Sequence, residues 1–255
     1  MKKIILFLSV ALAISSFREP TAKPTAESIN AKYFYILPKD KNVLSFEARL
    51  KEFEPTKAQI SAKLLRDGDT ILAKQIANLH GTVKYVKSID SVFVELTPFE
   101  VDEKSPIYKG AEQIKSGYKS ALLGCFQTIK TPIVNPFIGE YVSEPTIEFK
   151  KGNLLATVNK KAVKENYIFS NNYRDIKLTA ISDDVKMDAT IKAEKAGNTL
   201  LINYVDFAST QIKAKINFTY STDNNHIELQ QLHMDAEMSP MKYSITVLFS
   251  NWSIQ

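Results

Sequence analysis

Three histidines (His80, His226 and His233), one cysteine (Cys125) and the adjacent carboxylates Asp183-Asp184 are the side chains through which this chain could do chemistry. Cysteine catalysis needs a thiolate beside a base, and no histidine lies near Cys125 in the sequence. Cys125 falls instead on the apolar stripe of an expected helix, where a cysteine packs as a small hydrophobe. The aspartate pair has the composition of a general acid–base site, but it sits in a turn, where two solvated carboxylates are the plainer reading. The sequence has no Gly-x-Ser-x-Gly elbow, no Gly-rich phosphate loop and no His-Glu-x-x-His helix. His233, Met234, Asp235, Met238 and Met241 crowd one hairpin, and imidazole with thioether is a donor set suited to Cu(I). Strand alternation, however, sends Met234 to the apolar face. No metal and no cofactor are therefore expected, and the chain reads as a binding protein rather than an enzyme.

The elements that would position a binding surface are mostly strands. Val185, Met187, Ala189, Ile191 and Ala193 alternate with polar residues, as do Ile212, Ala214, Ile216, Phe218 and Tyr220. A period of two puts all the apolar side chains on one face of a sheet. Such a sheet is antiparallel, wet on one side and covered on the other. Turn signals at Gly152-Asn153, Asn171-Asn172, Asp183-Asp184, Gly197-Asn198 and Asp223-Asn224-Asn225 separate the strands. The apolar phase slips by one between Leu229 and Leu232, across Gln230-Gln231, which predicts a β-bulge and a curved sheet.

One helix is expected to begin at Ser105-Pro106 and to stop before Pro132. Its stripe runs through Ile107, Ala111, Ile114, Tyr118, Leu122, Cys125 or Phe126, and Ile129. Gly110, Gly117 and Gly124 lie on or beside the stripe; either another backbone approaches closely there or the spacing is chance. Upstream, Leu44, Phe46, Ala48 and Leu50 favour a strand, and Ala58, Ile60, Ala62 and Leu64 repeat that alternation, with a helix as the alternative over residues 43–80. Asp69 is placed to cap a short helix, and Val83, Tyr85, Val92, Val94 and Leu96 suggest a hairpin.

Composition is that of a folded domain: 44% of the 255 residues are hydrophobic and 24% charged. A formal net charge of +5 without an Arg-rich run or a basic aromatic stripe carries no nucleic-acid signature. A single cysteine excludes an internal disulfide. Met1-Lys2-Lys3, the apolar run Ile4–Val10 and Ala11-Leu12-Ala13 together predict a signal peptide over residues 1–13, and hence a periplasmic or secreted protein with no transmembrane segment after cleavage. Residues 14–42 read as a mostly disordered lead-in, and 43–255 as a single α+β domain.

The order of elements is a leader, an early strand–helix region, a helix containing Gly117-Tyr118-Lys119-Ser120-Ala121-Leu122-Leu123-Gly124, and a long antiparallel meander. From about Phe46 to Ser250 this order resembles the periplasmic lipoprotein-carrier family. The resemblance implies an α+β fold in which a strongly curved antiparallel sheet, an incomplete barrel, is covered on its concave face by helices. It also implies an apolar cavity that takes lipid or acyl chains of acylated proteins. The residues expected to line that cavity are Ile114, Tyr118, Leu122 and Phe126 on the helix, with Ala189, Ile191, Ile202, Ala214, Ile216 and Phe218 on the strands. The alternative is an envelope protein with a packed core that binds another envelope protein through its surface. A third possibility is a hydrolase whose residues meet only in three dimensions.

Overall fold

Alternating apolar and polar residues build a twelve-stranded antiparallel sheet in the order β3-β2-β1-β12-β11-β10-β9-β8-β7-β6-β5-β4. The strands are β1 (Val43–Leu50), β2 (Gly81–Val86), β3 (Ser91–Leu96), β4 (Ser143–Lys150), β5 (Asn153–Asn159) and β6 (Lys164–Phe169), followed by β7 (Asp175–Ile181), β8 (Lys186–Ala196), β9 (Thr199–Ser209), β10 (Lys213–Asp223), β11 (His226–Met238) and β12 (Met241–Ile254). The structure, a computed structural model, describes residues 24–98, 101–104, 108–139, 141–182, 185–223 and 226–255. The expected leader, the Ser105-Pro106 helix start and the Asp183-Asp184 turn lie outside these residues.

The expected half-barrel does not form. The sheet stays open and is not strongly curled: β3 and β4 stand at opposite edges and do not pair. The slip at Gln230 is a real bulge, since Thr219 faces Gln231 while Tyr220 faces Leu229. One extra residue bends its own strand and tightens local twist, but it does not bring two distant edges together. The likeness to lipoprotein carriers therefore fails at its main feature, the half-barrel itself.

Helices cover part of the apolar face. In chain order they are α1 (Ala26–Asn30), α2 (Glu54–Arg66), α3 (Thr70–Ala77) and α4 (Tyr108–Ile129), with α4 running on into a π-turn at Lys130–Val134. Helix α4 lies on β1, β2 and β3. Gly81 of β2 is the glycine that permits this close approach, because a Cβ there would sit 2.2 Å from Leu122 Cδ1. Around Gly110, Gly117 and Gly124 the space is open, so no backbone closes on that seam.

A second cover comes from the region expected to be a disordered lead-in. Ile29, Tyr33, Ile36 and Leu37 are buried, together with Ile133, Val134, Phe137 and Ile138 after α4. Ile36 N donates to Ile133 O at 3.0 Å. Asn30 Nδ2 donates to Ile138 O at 2.8 Å, and the Tyr167 hydroxyl donates to Phe137 O at 3.1 Å. Through Ile29, Tyr33, Ile36 and Leu37 the segment contributes to the core.

Residues 54–66, which alternate like a strand, are helical instead. The buried face of α2 is Lys57, Ser61 and Leu64, spaced as one helical stripe. Lys57 Nζ donates to Leu79 O at 2.9 Å and pairs with Glu54 at 2.6 Å. Ser61 Oγ donates to Ala73 O at 2.8 Å. These bonds satisfy the polar groups that the helix buries, which makes a partly polar inner face tolerable. Asp69 caps α3 as expected, accepting from Leu72 N at 3.0 Å.

Candidate functional site

The ten residues expected to line one cavity fall into two groups. On α4, Ile114 is half-buried, while Tyr118, Leu122 and Phe126 are buried against β1–β3. The Phe126 ring lies 6.3 Å from Phe46 and 5.2 Å from Tyr85, and the Tyr118 ring lies 5.3 Å from Phe53. Ala189 and Ile191 of β8, Ile202 of β9, and Ala214, Ile216 and Phe218 of β10 are also buried. Ile191, Val205, Ile216 and Met234 stand side by side across four strands. Toward this second group the cover is the N-terminal segment rather than α4. Tyr33 bridges Leu200, and the Phe34 ring meets Tyr220 at 6.5 Å. At the α4 positions the chain's own aromatic side chains fill the layer between helix and sheet.

Tyr118 also has a backbone partner. Its hydroxyl accepts a buried hydrogen bond from Leu50 N at 2.9 Å. Tyr118→Phe leaves that N–H unpaired, and an unsatisfied buried donor costs about 1–3 kcal/mol. A urea titration should show a lower midpoint with an unchanged slope.

Among the described residues, Cys125 and His233 stand in separate surroundings. Cys125 is buried, and burial pushes its thiol up to about 12, which keeps it protonated and poorly nucleophilic. Met234 is buried on the inner face, whereas its strand neighbour His233 reaches Thr246 Oγ1 at 3.0 Å on the other. Met238 and Met241 are exposed, so they do not share the buried face that holds Met234. Among the described residues no group of histidine, cysteine, aspartate and glutamate is arranged to hold a metal ion.

Two of the depressions on the surface bear on function, and neither is lined by α4. One, of about 570 Å³, lies over β9–β12 and holds Asp206, Lys213, Lys215, Asp235, Glu237 and Lys242. Register sets Lys215 between Asp206 and Asp235, and Glu237 between Lys213 and Lys242. Opposite charges on neighbouring strands compensate one another, so this face is a balanced mosaic. The other depression, of about 680 Å³, is unbalanced: it is lined by Lys32, Arg174, Lys195, Asn172, Asn198 and Thr199 and by no carboxylate. These residues come from three separate stretches of sequence. The only signal visible beforehand was the pair of turns at Asn171-Asn172 and Gly197-Asn198.

Comparison with known proteins places this geometry beside no relative: no family model, no curated protein and no solved structure matches the chain.

Proposed function

We propose that this chain is a binding protein that takes up an extended segment of a partner protein as an added strand along β3. The observation that carries this reading is the difference between the two sheet edges. Edge β4 is blunted by Pro145, by a register break between Ser143 and Thr146, and by exposed Glu144, Glu148 and Lys150. Proline, irregular pairing and charge are the devices that discourage strand addition. Edge β3 has none of the first two, and its register with β2 runs unbroken from Ser91 to Leu96.

The outward groups of β3 follow from the ladder. Thr97 N donates to His80 O at 2.9 Å, one step beyond the Gly81–Leu96 pair. Antiparallel pairs alternate between bonded and non-bonded. Glu95, Phe93 and Ser91 therefore bond to β2, while the N–H and C=O groups of Val92 and Val94 face the open edge. Beside them Phe93 presents an exposed ring on the outer face. Backbone bonds would supply affinity, and side chains flanking Phe93 would supply selectivity.

Photo-crosslinking in the native cell tests the reading, with the crosslinker placed at Phe93 or, as a comparison, at Phe149 on β4. A discrete adduct from position 93 is expected, and Val92→Pro should remove it by deleting an outward donor while sparing the β2 ladder. No adduct at 93, or one that survives Val92→Pro, overturns strand addition at this edge.

A further inference from the structure

The backbone segments that carry the unbalanced cleft are tied to one another by hydrogen bonds. Leu200 N donates to Lys32 O and Phe34 N to Leu200 O, both at 2.9 Å, so the segment carrying Lys32 is clamped to the start of β9. The Tyr33 hydroxyl donates to Tyr173 O at 2.8 Å, tying the same segment to the β6–β7 turn. Ala193 N donates to Arg174 O at 2.8 Å, and Arg174 N to Asn172 Oδ1 at 3.0 Å. Tyr173 holds a left-handed backbone, φ 60°, that non-glycine residues rarely adopt. Such a conformation persists where surrounding bonds over-determine it, and it is often found at ligand clamps.

Into this frame the chain sets three cations. Among the described residues Lys32, Arg174 and Lys195 make no ion pair with any carboxylate. Lys32 Nζ instead lies 4.4 Å from the centre of the Tyr173 ring, which holds the ammonium group at one wall. Like charges lining one cleft without a counter-charge repel one another, and an anion relieves that repulsion. Over β9–β12, by contrast, opposite charges alternate across neighbouring strands. Asn172, Asn198 and Thr199 add neutral polar groups to the same walls. Arginine presents a planar fork that matches the geometry of phosphate oxygens.

From this convergence we infer that the cleft between the α1 segment and the β6–β7 and β8–β9 turns is a binding site for a phosphoryl group. Its volume of about 680 Å³ exceeds what a lone anion needs and admits the small molecule or headgroup that carries the phosphate. A phosphate near neutral pH bears up to two charges against one for a carboxylate, which suits a cluster of three cations.

The test uses the whole chain and two probes. Inorganic phosphate is titrated calorimetrically at constant ionic strength, with chloride as the balancing salt. Flotation is then measured with vesicles of phosphatidylcholine containing phosphatidic acid, against pure phosphatidylcholine. Arg174→Gln and Lys195→Gln are compared with Lys161→Gln, an exposed cation outside the cleft. Saturable phosphate binding that either cleft variant weakens roughly tenfold, and Lys161→Gln leaves unchanged, supports the site and points to a free phosphorylated ligand. Vesicle binding lost in the same cleft variants, with no saturable response to free phosphate, supports it with a lipid headgroup as the source. Neither probe binding, or equal binding by all four proteins, overturns the inference. Unchanged melting temperatures without ligand establish that the variants are folded.

Discussion

Leu122→Asp should abolish cooperative unfolding, leaving a protein that melts without a transition or does not accumulate. Leu122 is 1% exposed and lies over Gly81. An unpaired charge at such a position costs several kcal/mol, against a total stability of about 5–15 kcal/mol for a domain. Circular dichroism across a thermal ramp reads the outcome. A variant that melts like the wild type would mean that α4 is not docked on β1–β3, and would free its stripe for a partner.

Phe126→Ala should lower stability by about 3–5 kcal/mol, the usual cost of removing a buried aromatic side chain from a packed core. Phe126 is 1% exposed and joins Phe46 to Tyr85, so its loss leaves a void between two strands and the helix. The denaturant midpoint should fall while the slope stays constant. Ile71→Ala is the control, because Ile71 is 72% exposed and surface substitutions usually change stability by less than about 0.5 kcal/mol. A loss below about 1 kcal/mol at Phe126 would show that the layer has spare room, the condition an acyl-chain ligand would need.

Strands whose apolar face is continuous were legible in the sequence. The alternation from Val185 onward is β8 at Lys186–Ala196, and the phase slip at Gln230 is the bulge itself. Strand β6 was not legible, because Ile168 faces outward between inward Tyr167 and Phe169 and blurs the period of two. The sequence leaves α2 open between strand and helix because Lys57 and Ser61, which lie on its buried face, do not register as apolar. The packed role of residues 24–42 was hidden by the proline- and threonine-rich stretch before it, although Ile29, Tyr33 and Ile36 recur at helix-like intervals. Curvature was over-read: a bulge reports local bending, whereas closure depends on where the edge strands end. The cationic cleft was illegible for a different reason. Lys32, Arg174 and Lys195 share no local pattern, and only the docking of the N-terminal segment on β9 brings them together.

The pairing of β1 with β12 has a consequence for how the chain is made. Leu44 faces Ile254, and Val43 N donates to Gln255 O at 2.9 Å, so β1 finds its β12 partner only after the whole of the meander has been made. From β4 to β12 each strand pairs with its predecessor, so that meander can assemble as it leaves the ribosome. The β1–β3 unit, on which α4 packs, cannot join the meander until β12 has emerged. Contacts of such long sequence separation slow folding and leave an unpaired edge exposed meanwhile. A nascent chain stalled before β12 should therefore hold a formed meander beside a protease-sensitive N-terminal unit, and release of the stall should protect both together.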